Sequence, residues 1–192
     1  MEKQIVIKKL IKARKKILDL IRPLSEHLWE EIFLGTWSLK DFVAHLIGWD
    51  IWGLRATKEI LQGKLPSYYQ YYDEDWKSFN DKLVNKYKKG NKNDLLVSIK
   101  NSHKKLVEEL ERIPDKLYNK NFNLTWKGFK VTLTSDTLTQ SDDEEIHTKQ
   151  IKDWLKNQRT EDILDLAGKF RIKNKKSLLK ARESMEKHYK RF

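Results

Sequence analysis

Long segments in which apolar residues recur every three or four positions constrain this chain most. In the first of them, isoleucine and leucine share one face, while lysine and arginine occupy the other, which is the pattern of an amphipathic helix. Pro23 ends or kinks that helix. A second helix is predicted to begin at the N-cap Ser38 and to run to about Leu61, with Gly63 as its C-terminal cap. The first third of the chain is therefore predicted to be helical.

Two further long helices are predicted in the rest of the chain. Asp94 is the predicted cap of the third, and Pro114 closes it. The period then changes, and residues 122–133 predict a small hairpin or extended excursion. The fourth helix is predicted to start after the Ser/Thr/Asp-rich stretch 134–143 and to run to about Asn157. The whole pattern predicts a mostly α-helical protein.

The charge of the chain allows two interpretations. Lysine and arginine number 40 against 28 aspartate and glutamate, which gives a formal net charge of +12. Such an excess favours non-specific, salt-sensitive contact with nucleic acid. It equally fits a lysine-rich solvated surface, because the basic residues are spread along the chain. No RRM, zinc-finger or clear helix-turn-helix signature is present, so specific nucleic-acid recognition has no motif behind it.

Several classes of function lack support in the sequence. No cysteine is present, which excludes disulfides, zinc–thiolate sites and a thiol nucleophile. The apolar runs are short, so no membrane partner is expected, and the absence of cysteine fits a cytoplasmic location. The motifs G-x-S-x-G, the P-loop and G-x-G-x-x-G are also missing, which leaves acyl hydrolases, NTPases and dinucleotide-binding enzymes without support.

Histidine and tryptophan share a face on two of the predicted helices. If both faces point inward, two imidazoles and several indoles surround the bundle axis. An imidazole can serve as general base on water, and indoles provide an apolar wall with N–H donors. The alternative is a core histidine hydrogen-bonded to a neighbouring helix. The two stripes are His45, Trp49 and Trp52 on the second helix, and His147, Ile151 and Trp154 on the fourth.

The run from Trp37 to Asp50, Trp-Ser-Leu-Lys-Asp-Phe-Val-Ala-His-Leu-Ile-Gly-Trp-Asp, resembles a signature of the ClbS/DfsB-like proteins. These belong to the DinB-type four-helix bundles, and their signature reads W-S/T-x-K-D-x-L-A-H-L-x-x-W. The resemblance covers about residues 5–159. Further similar features follow in the family's order, namely Trp76 with Asn80, His103, Trp126-Lys-Gly128, His147 and the run from Ile151 to Trp154.

The resemblance implies an all-α fold, an up-down four-helix bundle with a central pocket. In this chain the bundle is expected to carry two additions, the small hairpin or extended excursion and a helical C-terminal tail. It also implies a function, since one family member protects its producer from a genotoxin by opening a reactive cyclopropane with water. His45 and His147 become the expected catalytic residues, with a small molecule as partner. The expected pocket residues are Trp49, Trp52, Trp76, Asn80, His103, Trp126, Ile151 and Trp154.

A bound metal is not expected, although wider DinB-type relatives hold a divalent metal on three histidines. His45 and His147 match two of those positions, but Ile151 stands where the third histidine would be. Two histidines are fewer ligands than a stable transition-metal site needs. His103 is the residue that would complete the set, since it also lies on an apolar face. We therefore expect no metal and no other cofactor.

Residues 160–192 differ in composition from the rest and form the second of two predicted domains, after a bundle of residues 1–159. Their sequence resembles the toxin-binding tails of archaeal VapB-type antitoxins, which wrap an acidic ribonuclease. Phe170, Arg171 and Arg182 are the expected contacts with such a partner. The alternative is that this tail packs across its own bundle.

Three functions from different classes follow from the sequence. The first is a pocketed bundle that binds a small, genotoxin-like molecule or detoxifies it by hydrolysis. The second is an antitoxin-like interaction protein whose tail neutralises a toxin ribonuclease. A basic protein associated with nucleic acid is a third.

Overall fold

The computed structural model describes residues 2–72 and 75–169, and most of them are helical, as the sequence predicts. Four long helices, α1, α3, α5 and α7, form the predicted up-down bundle, and none in the described part is long and apolar enough to cross a membrane. The elements in chain order are α1 Lys3–Ile21, α2 Glu26–Glu30, β1 Ile32–Leu34, β2 Trp37–Ser38, α3 Leu39–Leu61, a 3-10 helix Ser67–Tyr72, α4 Trp76–Tyr87, α5 Lys92–Arg112, α6 Asp115–Tyr118, β3 Thr125–Trp126, β4 Phe129–Lys130 and α7 Leu133–Lys169.

The chain divides into two compact units, residues 1–150 and 151–192, and the division falls inside α7. The first unit holds α1 to α6, both hairpins and the beginning of α7. In the second unit, Ile151 and Trp154 are buried. The partner-binding residues predicted in the tail, Phe170, Arg171 and Arg182, lie outside the described residues. The predicted boundary after residue 159 stays a prediction.

Helix α3 is the centre of the first unit, because it packs against both α4 and α5. Gly48 allows α4 to approach closely, since a Cβ at this position would lie 2.9 Å from the Cβ of Leu83. One set of buried side chains from α1, α3, α5, α7 and the connecting segments is here called the apolar cluster. Its members are Val6, Ile7, Leu10, Ile60, Leu106, Leu110, Ile113, Tyr118, Leu124, Val131 and Leu133.

The ends of the helices largely follow the sequence signals. Ser38 caps α3 through a capping box with Asp41, in which each side chain accepts a hydrogen bond from the other's backbone N–H. The predicted cap of α5 needs a correction. Asn91 caps this helix, and Asp94 is its reciprocal partner three residues on. The position of the helix is unaffected, but the carboxylate lies inside the first turn, where it complements the helix dipole.

The start and end of α7 were predicted wrongly. The helix begins at Leu133, before the Ser/Thr/Asp-rich stretch 134–143, and continues past its predicted end near Asn157 to Lys169. Thr137 and Ser141 donate hydrogen bonds of 2.8 and 2.9 Å from their hydroxyls to carbonyls four residues back, at Leu133 and Thr137. These bonds satisfy the hydroxyls inside the helix, so a composition typical of loops forms regular helix.

Two short hairpins connect the helices. Residues 122–133 contain the predicted one, in which β3 and β4 pair antiparallel around Lys127 and Gly128. Both turn residues have positive φ, 48° and 84°, as a two-residue turn that matches the twist of the strands requires. A second hairpin, β1–β2, lies between α2 and α3.

Candidate active site

A cavity of about 340 Å³ lies within the first unit and opens to solvent. Its size suits a small organic molecule rather than a polymer. Residues of the β1–β2 hairpin, α3, α4, the 3-10 helix and α7 form its walls. The lining residues are Leu34, Trp37, His45, Leu46, Trp49, Gly53, Tyr68, Trp76, Asn80, Asp136, Thr139, Gln140, Asp143, Glu144 and His147.

The two predicted catalytic histidines lie side by side on the cavity wall. His45 comes from α3 and His147 from α7, with ring centroids 5.8 Å apart. His45 is only 8% exposed, and its Nδ1 has no hydrogen-bond partner. Burial, followed by the nearby His147 and Arg14, lowers the pKa of His45 to about 3. His45 is therefore neutral across the physiological range and is a poor proton acceptor.

His147 is better placed to take a proton. Its Nδ1 lies 2.7 Å from the side-chain oxygen of Gln150. That oxygen can only accept a hydrogen bond, so Nδ1 carries the hydrogen and the neutral ring offers a lone pair at Nε2. This assignment makes Nε2 of His147 the candidate general base, with neutral His45 beside it as a hydrogen-bonding partner for water.

Aromatic rings form another wall of the cavity. The Nε1–H of Trp49 donates a 3.1 Å hydrogen bond to Oδ1 of Asn80, which fixes the indole. Its ring lies 5.1 Å from that of Trp76 and 5.3 Å from that of Tyr68, between centroids. The indole of Trp37 lies 5.0 Å from the imidazole of His45. The rings therefore run from the histidine pair to Tyr68.

The polar face of α7 was not predicted, because the Ser/Thr/Asp-rich composition of residues 134–143 is typical of a loop. Asp136, Gln140, Asp143 and His147 recur at intervals of three or four, so they share one helix face. That spacing is the signal that would have found them. Tyr68 donates a short hydrogen bond to Asp136. Burial nevertheless raises the pKa of Asp136 to about 6, so the carboxyl changes charge near neutrality.

A buried ion cluster, here called the Arg14 network, supports the cavity from behind. Arg14 of α1 is 1% exposed and joins Asp50 of α3 to Glu144 of α7. Its guanidinium donates to both oxygens of Asp50 at 2.9 and 3.0 Å, and to both oxygens of Glu144 at 2.7 and 3.0 Å. Ser102 adds a 2.6 Å hydrogen bond to Asp50. The network therefore fixes α3 and α7 relative to each other.

Arg14 and Asp50 stay charged although they are buried, because each is paired with an opposite charge. Burial disfavours every charged form, but Asp50 and Glu144 raise the pKa of Arg14 well above its usual range. Burial also acts to raise the pKa of Asp50, and the Arg14 guanidinium, with His103, overcomes this effect and lowers it. One signal for Arg14 was its position between Leu10 and Ile17 on the apolar stripe of α1.

The Arg14 network also contains a group of metal-ligand type. Among the described residues, ligand atoms of Asp50, His103 and Glu144 all lie within 4.8 Å of one another. However, the guanidinium of Arg14 already binds all four carboxylate oxygens. A cation would have to displace it, so these residues fit an ion-pair network better than a metal site. Ile151 offers no ligand atom to complete a set with His45 and His147.

Five residues predicted for the pocket are absent from the lining of this cavity, namely Trp52, His103, Trp126, Ile151 and Trp154. The ring of Trp52 lies 5.2 Å from that of Phe79, between centroids. Trp52 follows Trp49 by three residues, so the two side chains point about 60° apart around the helix axis. His103 lies behind the cavity, with Nδ1 3.6 Å from Oδ1 of Asp50. Trp126 packs behind the tyrosines, 4.9 Å from Tyr69. Ile151 and Trp154 belong to the second unit.

Solved structures with the same fold support the predicted resemblance. The crystal structure of the colibactin self-resistance protein ClbS in complex with double-stranded DNA matches with a TM-score of 0.65 and 19% identity, over 81% of this chain and 96% of that one. An uncharacterised protein from Escherichia coli UTI89 matches with a TM-score of 0.63 and 16% identity, over 82% and 95%. A Streptococcus pneumoniae protein matches with a TM-score of 0.64 and 12% identity, over 81% of this chain and 91% of that one.

Because the sequence identities are low, these likenesses establish only that the fold is shared with ClbS. No protein-family model and no curated protein sequence matches the chain. Chemistry must therefore be argued from the cavity.

Proposed function

We propose that this chain binds a small reactive molecule in the cavity and inactivates it by adding water. The observation that carries the proposal is the pair of imidazoles, 5.8 Å apart, on the wall of an aromatic-lined cavity. The fold shared with a self-resistance protein is consistent with a protective role.

His147 and His45 have different parts in this proposal. A water between the rings donates its proton to Nε2 of His147 while its oxygen forms a bond to the strained electrophilic carbon of the ligand. The ring bond at that carbon breaks, and its electron pair takes the same proton back from His147. His45 stays neutral throughout and holds the water by hydrogen bonding. The Arg14 network keeps α3 and α7, and so the two histidines, in register.

Hydrolysis of a strained-ring electrophile in water enriched in heavy oxygen tests this mechanism. A panel of cyclopropane and epoxide compounds is incubated with the protein, and mass spectrometry follows the ring-opened product. The protein should accelerate ring opening with one labelled oxygen in the product. His147→Gln should lose about 100-fold or more of the rate, on the order of a general-base contribution.

His27→Gln is the matched control for this experiment, because that histidine is exposed at the surface. It should retain the full rate. Equal rates for wild type and His147→Gln on every compound would refute the role of His147, and no acceleration of any compound would refute the hydrolytic proposal.

Binding of double-stranded DNA is a second candidate function. The ClbS structure holds such a duplex, and this chain has a net charge of +12. A basic surface would bind phosphates without reading the sequence. Fluorescence anisotropy with a labelled duplex should show binding that weakens steeply with salt and is indifferent to base sequence. No binding at low salt would refute this candidate.

The antitoxin-like alternative rests on residues 160–192 alone, and its expected contacts lie outside the described residues. It predicts that a chain truncated after Arg159 still unfolds cooperatively but no longer retains an acidic ribonuclease partner in a pull-down. A full-length chain that captures no such partner would remove this alternative.

A further inference from the structure

The cavity has the opposite charge to the rest of the molecule. The chain carries a net charge of +12, yet among the described residues no lysine or arginine lines the cavity. Three carboxylates do, those of Asp136, Asp143 and Glu144. The side chains that line the cavity are therefore acidic, although the chain as a whole is basic.

The nearest guanidinium does not change this sign. Arg14 lies behind the lining and donates all of its short hydrogen bonds to Asp50 and Glu144. One positive charge thus faces two carboxylates in the Arg14 network, and the carboxylates of Asp136 and Asp143 remain uncompensated by it. The interior therefore favours a cation and disfavours an anion such as phosphate.

The aromatic wall adds a second attraction for positive charge. Trp37, Trp49, Trp76 and Tyr68 line the cavity, and indole faces are the strongest cation–π acceptors among side chains. His45 also lines it, is 8% exposed and has no hydrogen-bond partner for Nδ1. The lining therefore combines carboxylates and indoles with a histidine whose Nδ1 is buried and unsatisfied.

The two ends of the cavity are separated along α7. Asp136 and His147 lie eleven residues apart, or about 16 Å along the helix axis. Asp136 and Tyr68 form one end, joined by a hydrogen bond, while the histidine pair and Asp143 lie toward the other. Carboxylates therefore lie at both ends of the cavity, and a positive group beside Asp143 would also lie near the histidine pair.

We propose that the ligand of this cavity is a flat organic cation, a ring system that carries a protonated amine or a quaternary ammonium group. Its positive group lies against the carboxylates and its ring lies against the indoles. The inference rests on the proposed function only in taking the cavity as a small-molecule site. It adds the chemical class of the molecule that is inactivated there.

Three probes of similar shape test the charge of the ligand: naphthylmethylamine, naphthylmethanol and naphthoate. Their binding to the full-length protein is measured by isothermal titration calorimetry at pH 7.5. The ammonium probe should bind at least about tenfold more tightly than the alcohol, and the carboxylate should bind most weakly. Equal affinities for the amine and the alcohol, or no binding of any probe, would overturn the proposal.

Matched variants locate the site. Asp143→Asn should weaken the ammonium probe about fivefold and leave the alcohol unchanged, since one nearby charge is removed. Trp76→Leu should weaken both probes. Asp142→Asn is the control, because Asp142 is the adjacent carboxylate on α7 but is absent from the lining and pairs with Lys9. It should change affinity by less than about twofold. An equal loss in the two aspartate variants would place binding elsewhere and overturn the proposal.

The result is separable from that of the hydrolysis experiment. Ring opening of neutral electrophiles, without preference for the ammonium probe, would refute the cation and keep the hydrolytic function. Selective binding of the ammonium probe at Asp143, without ring opening of any compound, would refute hydrolysis and keep the cation.

Discussion

The apolar cluster and the Arg14 network are both buried, but they are held together by opposite chemistry. Leu110 and Tyr118 in the cluster are 2% and 0% exposed, and Arg14 in the network is 1% exposed. The cluster is stabilised by removing hydrocarbon from water and tolerates small changes of shape. The network is stabilised only while all of its charges are paired. The cavity lies next to the network, so the buried charges, which are unfavourable unless paired, are concentrated where ligand is expected to bind.

Removal of the central cation should give the largest loss of stability. Arg14→Met leaves Asp50 and Glu144 buried without their partner and should cost about 3–5 kcal/mol in the free energy of unfolding. Urea denaturation followed by circular dichroism measures it. Lys15→Met, at an exposed position on the same helix, should cost less than about 0.5 kcal/mol.

If the Arg14→Met protein does not fold, a triple variant keeps the test open. Adding Asp50→Asn and Glu144→Gln removes the unpaired charges and should restore cooperative unfolding. A loss under about 1 kcal/mol in the single variant would contradict the importance given to the network.

Truncation in the apolar cluster should have a somewhat smaller effect and a different character. Leu110→Ala should cost about 2–4 kcal/mol by loss of buried hydrocarbon and creation of a cavity. Its cost should not depend on pH, and binding of the ammonium probe should change by less than about twofold, since Leu110 lies outside the cavity lining. A cost that varies with pH would show that the two regions are coupled.

His45 should make the protein sensitive to acid. Its pKa is about 3 in the folded chain, against about 6.5 for an unfolded histidine. As the pH falls below 6.5, the unfolded chain takes up a proton that the folded chain refuses, so stability present above that pH is lost toward pH 3. This residue alone should cost about 2 kcal/mol at pH 5. Urea denaturation from pH 7.5 to 4.5 should show a flatter dependence for His45→Gln, whereas the exposed-site variant His27→Gln should keep the wild-type slope.

Asp136 should show the smallest effect, with the opposite sign. Burial raises its pKa to about 6, so the folded chain retains a proton that the unfolded chain loses near pH 4. Its cost therefore grows as the pH rises from about 4 to 6 and is complete above that range. Asp136→Asn should stabilise the protein by about 1 kcal/mol at pH 7.5, since Tyr68 can still donate to the amide oxygen. Thermal unfolding measures it, and a lower melting temperature would contradict the assigned pKa.

The long helices and the histidine stripes were predicted from helical periodicity, and the bundle was predicted from the resemblance to the ClbS/DfsB-like proteins. His45 and Trp49 were found from spacing, and their neighbours on α3 followed from the capping box at Ser38. The start of α7 was not predictable from composition, since serine and threonine favour loops unless their hydroxyls bond back to the helix, as that of Thr137 does. Because the start of α7 was not predicted, the carboxylates that this helix contributes to the cavity were not predicted either.

The Arg14 network could not be predicted from spacing alone. Arg14 is one of many basic residues on α1, and only its place on the buried stripe distinguishes it. Asp50 stands at the end of the tryptophan–histidine motif, but its partners come from 36 and 94 positions away in the sequence, at Arg14 and Glu144. Such pairings depend on how helices are arranged, which local patterns do not specify.

The number of adducts on DNA exposed to an alkylating cyclopropane tests the central claim most directly. The compound is preincubated with wild-type protein or with His147→Gln, the protein is removed, and duplex DNA is added. If the cavity destroys the electrophile, wild type should lower the adduct count strongly and His147→Gln should leave it near the level without protein. Equal protection by both proteins, or no protection by either, would contradict the account, because His147 would then have no part in inactivation.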